Sequence, residues 1–262
     1  MRLYFEVARR SFRRSATYRT ALLAGLLTNA FFGAVRSFVY IAIYQSGGAV
    51  AGFSLSEAIS YTWVTQMLIS IGAGWVSWDI MTSIRSGEVI TELSRPWNFY
   101  GYWLSRTLGA HSFNLLVRGS LTYLLGALYF GAHVPAPGDL LAFAAAVSLA
   151  MLVSFAYSFL VNISAFWLID STGLVLIANI LLGFFSGMLL PISFFPEPLA
   201  TLARALPFQA ITGLPAEVFL GKIGGADLLA TLLLQLLWAV VMTGLGLLGL
   251  QAAVRKVVIQ GG

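Results

Sequence analysis

Residues 140–190 hold a single charged side chain, Asp170, in an apolar run long enough to cross a bilayer twice. A hydrocarbon core about 30 Å thick takes about 20 helical residues per crossing. Composition agrees with that reading. Hydrophobic residues make up 59% of the chain and charged residues 10%, against roughly 45–50% and about 25% in soluble domains. A water-soluble chain of 262 residues has no way to hide so much apolar surface. Lipid removes the problem, and the length leaves no room for a second soluble domain. The chain has no cysteine, which excludes disulfides, thiolate metal sites and cysteine nucleophiles.

Six spanning helices follow from the spacing of apolar runs. The first covers about 21–44 and the second about 58–78. A polar stretch over 79–106 comes next, then a third span over about 107–130. Asp170-Ser171-Thr172-Gly173 joins a capping acid and hydroxyls to a glycine breaker, dividing a fourth span (140–167) from a fifth (174–190). Residues 191–226 carry Pro191, Pro196, Pro198, Pro207 and Pro215, too interrupted for one spanning helix. They read as a re-entrant outer hairpin of two short helices, about 199–206 and 215–220, because broken backbone at membrane depth is tolerated only inside protein or against a cavity. The sixth span covers about 228–251. The fold class is an all-α integral membrane protein, a single transmembrane domain over 1–262.

Charge sets the orientation. Arg2, Arg9, Arg10, Arg13, Arg14 and Arg19 precede the first span, Arg85, Arg95 and Arg106 follow the second, and Arg255 and Lys256 follow the sixth. The opposite loops hold only Arg204 and Lys222. The positive-inside rule places the first set, and both termini, in the cytoplasm. The net charge of +5 is thereby topological, with no nucleic-acid partner implied. Residues 1–19 lack a signal-peptide cleavage pattern. Met1, Phe5, Ala8, Phe12 and Ala16 share one helical face, as in a helix lying in the inner membrane interface; a basic tail drawn to anionic lipid is the plainer alternative.

Enzymatic constellations are missing from the sequence. His111 and His133 share no metal-ligand spacing, so no metal is expected, and Gly221-Lys222 lacks the remaining glycine and hydroxyl of a phosphate-binding loop. Any nucleotide energy must come from another chain. Within the polar stretch, Gly87 breaks the chain, Glu88, Val89, Ile90, Thr91, Glu92, Leu93 and Ser94 form about two helical turns, and Pro96 stops them. Ile90 and Leu93 offer a small apolar face that suits either a groove on a cytosolic partner or lipid headgroups.

These features together resemble the permease subunits of ABC-2-type transporters. The likeness rests on Ile84-Arg85-Ser86-Gly87-Glu88 with Leu93 and Pro96 after the second span. It rests also on Gly187-x-x-x-Pro191, Phe195-Pro196 and Leu206-Pro207-Phe208 between the fifth and sixth. The resemblance covers essentially the whole chain. It implies an exporter of the cytoplasmic (inner) membrane that pairs with a second permease, identical or related. ATP and Mg²⁺ would be bound by cytosolic ATPase subunits and no cofactor by this chain, with Gly87 to Ser94 as the ATPase-coupling helix. An ion-coupled carrier and an intramembrane enzyme are the rivals.

Ionisable groups inside spans are functional candidates by default. Arg36 lies about 12 Å from the outer end of the first span and Arg118 about 18 Å from Arg106, near mid-membrane. Thr107, His111, Asn114, Arg118 and Thr122 form one stripe along the third span. Arg36, His111, Asn114 and Arg118 are the substrate-pathway candidates; outward snorkelling of Arg36 and helix gluing by the stripe are the alternatives. Gly183 and Gly187 permit close helix approach, within the subunit or at a dimer seam. Trp75, Trp78, Trp97 and Trp103 read as interfacial anchors.

Overall fold

The computed structural model describes residues 2–45, 51–72, 76–168 and 170–260, with side chains as far as Arg255. The expectations on Met1, on Trp75 and on the Lys256 side chain lie outside the described residues. Among those residues the chain is helical, with no β-strand.

Helix α1 (Arg2–Thr17) is amphipathic, as its sequence predicts, and α2 (Arg19–Gln45) follows after Tyr18. The apolar side of α1 does not all face outward. Ala8 lies so close to Gly109 that a Cβ there would stand 2.1 Å from the Ala8 carbonyl oxygen. Ser11 donates to the Arg106 carbonyl at 2.6 Å, and Phe12 meets Phe113 edge-on at 5.2 Å. Small residues on both partners let the backbones approach. Phe5 remains 72% exposed on the outer side.

Helix α3 (Leu55–Leu68) starts at a capping box, in which Ser54 and Glu57 satisfy each other's backbone N–H groups. It tightens into a 3₁₀ turn over Ile69–Ile71 and stops at Gly72, whose φ of 75° only glycine adopts freely. The stretch 58–78 is therefore not one helix: residues 76–78 lie outside any helix and lead to α4 (Asp79–Ser86) and α5 (Glu88–Leu93). α6 (Phe99–Asn114), a π-helical segment Leu115–Gly119 and α7 (Ser120–Phe130) run on without a break. α8 (Pro137–Ile163) ends in a short 3₁₀ turn, and α9 (Thr172–Phe185) begins where Asp170 accepts from the Thr172 backbone N–H at 2.9 Å. α9 closes five residues earlier than expected, because Gly187 at φ 80° turns the chain. α10 (Glu197–Arg204) and α11 (Gly213–Phe219) match the two predicted hairpin helices, and α12 (Gly225–Gln260) closes the chain.

Three helical stretches, Arg19–Gln45, Pro137–Phe166 and Gly225–Arg255, are long and apolar enough to cross a membrane by length and composition. Leu27, Phe31 and Phe38 on α2, Ile180 on α9, and Leu229, Leu233, Val240 and Leu248 on α12 are exposed. A water-soluble protein does not leave that much contiguous apolar surface bare. Helix directions follow from side-chain registers. α2 and α3 are antiparallel, with Asn29 donating to the Gln66 carbonyl and Trp63 to Ser37. α2 and α7 are parallel, since Gly25 lies beside Arg118 and Phe38 beside Phe130. α8 and α12 are parallel too, with Ala146, Phe159 and Ile163 meeting Gln235, Gly246 and Gly249 in order.

The core centres on Trp63, Tyr61 and Leu68 of α3, clasped by α7, α8 and α11. α11 is almost wholly buried there. Its first N–H, from Gly213, reaches the Ser186 carbonyl at 2.8 Å, Tyr61 donates to the Gly187 carbonyl at 2.7 Å, and Phe219 packs on Tyr123 and Phe143.

Candidate functional site

The interruption between α3 and α4 creates the site. On its described side Val76 is buried and Ser77 exposed, and their backbone N–H and C=O groups lie outside any helix and need partners. Four side chains from later in the chain supply them. The Val76 N–H donates to Asn179 Oδ1 at 2.7 Å and the Ser77 N–H to Ser158 Oγ at 3.1 Å. Asn162 Nδ2 donates to the Ser77 carbonyl at 2.7 Å, while its Oδ1 accepts from the Met81 N–H, a first-turn donor of α4, at 2.9 Å. Ser154 Oγ points at the Gly72 carbonyl. Ser154, Ser158 and Asn162 are spaced four apart on one face of α8. Sequence reasoning passed over them, although three polar residues at that spacing in an apolar span were the available signal.

Beside this break lies a cavity of about 390 Å³ between α3, α6 and α8. Thr107, His111, Asn114 and Arg118 all line it, so the predicted stripe converges on one space. Arg118 sits in the π-helical segment. Its Nε donates to Ser70 Oγ at 3.3 Å, and its guanidinium lies against Gly25 of α2. Gly25 is about 9 Å along α2 from Arg19. The π segment also ends the stripe. Its wider turn rotates Thr122 away from the cavity, and Thr122 instead donates back to the Arg118 carbonyl at 2.8 Å. His111 Nδ1 is buried with no partner.

Arg36 does not join this group. It donates to the Met188 carbonyl at 3.0 Å, beyond the C-terminal end of α9, and lines a second cavity of about 540 Å³ with Asn29, Gln66 and Asn179. Gly183 and Gly187 do not form one helical face, because α9 ends before Gly187; a Cβ on Gly183 would touch only Met188 at 3.8 Å.

The α4–α5 element is rooted in one end of the bundle. Gly87 adopts φ 80° and links the two helices at an angle. Val89 is 3% exposed, packed in the cluster of Ile80, Phe99, Trp103, Phe159 and Ile163, and Leu93 packs beside it. Ile90 is 60% exposed. The expected pair of Ile90 and Leu93 therefore divides: a four-residue step turns Val89 and Leu93 inward, leaving Ile90 outside with Glu88, Thr91 and Ser94. Glu92 accepts from the Trp103 indole at 3.1 Å, so Trp103 is a core residue and not a membrane anchor. Arg85 ties α4 to Asp170 at 2.7 Å. Hydrogen bonds from the Thr172 side chain and backbone, and then from Arg85, hold the Asp170 carboxyl down at about 2.

A broken-helix membrane bundle with a polar internal cavity and a short surface helix pair at one end has the build of a transporter's membrane subunit. The profile described as ABC-2 family transporter protein matches residues 31–261. The chain belongs to that family, whose members are transport subunits without catalytic activity of their own. No curated protein and no solved structure shows significant similarity to it.

Proposed function

We propose that the chain is the permease half of an ATP-driven exporter of the cytoplasmic membrane. It crosses six times, through α2, α3, α6–α7, α8, α9 and α12, with both termini cytoplasmic and the α10–α11 hairpin dipping in from outside. The parallel and antiparallel registers above support that alternation. Two such halves, identical or related, would enclose the path, and separate cytosolic subunits would bind ATP and Mg²⁺. The cavity at His111, Asn114 and Arg118 is the proposed part of the substrate path, with Arg36 flanking a second compartment.

One observation carries this reading: α5 is fixed from behind by Val89 and Leu93 while Ile90 is held out bare. A six-residue helix anchored so firmly and exposing an aliphatic tip fits a receiving groove on a partner. Closure of the ATPases would push α5, and Arg85–Asp170 would pass that push to α9. The test uses the chain's lack of cysteine. Ser86→Cys should react with a membrane-impermeant thiol label only from the cytoplasmic face. Ile90→Asp should leave membrane insertion intact but abolish co-purification with the ABC-type ATPase expressed beside it. Labelling from outside, or full ATPase association by Ile90→Asp, would sink the proposal.

A further inference from the structure

We infer that the substrate is an anionic amphiphile, its head seated at Arg118 and its chain in an apolar groove one helical turn away. This deepens the permease reading and rests on it.

Electrostatics identifies the head. Of the ten acidic residues in the chain, none lines the cavity beside Arg118, and among the described residues no ion pair reaches that arginine. A guanidinium offers five donors, and Ser70 takes one of them. The His111 Nδ1, buried beside it without a partner, and Asn114 face the same space. A fixed positive charge with unfilled donors in a low-dielectric space selects an anion, and its planar fork suits a phosphate or carboxylate.

Shape identifies the tail. A second groove of about 600 Å³ is lined almost wholly by apolar groups, among them Leu116, Leu124, Leu140, Ala144 and Val147. The two spaces are neighbours that share a wall. Met67, Leu115 and Met151 line the apolar groove, while Ser70, Arg118 and Ser154 line the polar cavity. Each pair is three residues apart on its helix, which is one turn. The boundary between head and tail sites is thus made by two methionines and a leucine, and the methionines are flexible enough to let a chain pass. Neither free phosphate nor a neutral hydrocarbon would use both spaces.

The test is calorimetric titration of the purified permease in a steroid-based detergent, with dodecyl phosphate as probe. Saturable binding is expected, with inorganic phosphate and dodecyltrimethylammonium each binding at least about tenfold more weakly. Arg118→Met should weaken dodecyl phosphate about tenfold or more. Arg118→Lys should keep it within a few-fold, which separates lost charge from lost fold. Ala144→Phe should fill the groove and weaken it, while Arg204→Met, exposed on α10, should leave it unchanged. Equal affinity for the cationic probe or an unaltered Arg118→Met would overturn the anionic head. Equal binding of inorganic phosphate, or an unaltered Ala144→Phe, would overturn the tail site. Either failure with ATPase association through Ile90 intact removes the substrate class alone; loss of that association in the wild type removes the permease reading beneath it.

Discussion

Replacing Asn162 by leucine tests whether the interrupted second span is held by side chains from α8. Asn162 is fully buried. The substitution keeps the approximate volume but strips the acceptor from the Met81 N–H and the donor from the Ser77 carbonyl. The Met81 N–H is buried and its loss of a partner costs about 1–3 kcal/mol, while the carbonyl of exposed Ser77 can turn to water and adds little. For a chain of this size 1 kcal/mol corresponds to about 2–4 °C, giving a fall in melting temperature of at least about 2 °C. Thermal unfolding in detergent, followed by tryptophan fluorescence, reads it. The control is Ser148→Ala on the same helix, whose exposed hydroxyl donates only to the Ala144 carbonyl one turn back; its change stays within about 0.5 kcal/mol. If Asn162→Leu melts with Ser148→Ala, the backbone around Ser77 does not depend on this residue, and the account of the break is wrong.

Two further outcomes follow from packing and charge. Gly126→Ala places a Cβ 2.2 Å from Cγ of the buried Trp63, so overpacking of about 1–3 kcal/mol should lower the melting temperature, whereas Gly138→Ala, with open space around it, should not. The Lys222 ammonium, 2.8 Å away, and then the Ser54 N–H hold the Glu57 carboxyl down at about 2. Its folded value is depressed, so its stabilisation is complete above the ordinary 4.5 and fades as pH falls from there toward 2. With the Glu57 side chain 36% exposed, solvent screening limits this to about 1 kcal/mol or less. The acid-induced drop in melting temperature between pH 6 and pH 3 should shrink in Glu57→Gln.

What the sequence made legible was periodic and local. The stripe from Thr107 to Arg118 was readable because three- and four-residue steps share a helical face, and the cap at Asp170 because its chemistry lies within a few residues. Thr122 was misplaced because one π turn shifts the register, and no residue type announces such a turn. The end of α3 was hidden for a different reason. The chain can leave the helix at Gly72 because Ser154, Ser158, Asn162 and Asn179 receive backbone groups on both sides of the interruption, and those pairings span 81 to 103 positions of sequence. The face of α1 was legible, but its partner was not: whether Ala8 and Phe12 meet lipid or α6 turned on Gly109, a glycine with no local signature.

Ser154, Ser158 and Asn162 form a ladder whose rungs are about 6 Å apart. The first turn of α4 hangs on that ladder through Met81, a residue 81 positions earlier in the chain than the asparagine that receives it. The direction of α4, and of the short helix that follows it, is thereby set by α8 and not by the helix that precedes it in sequence.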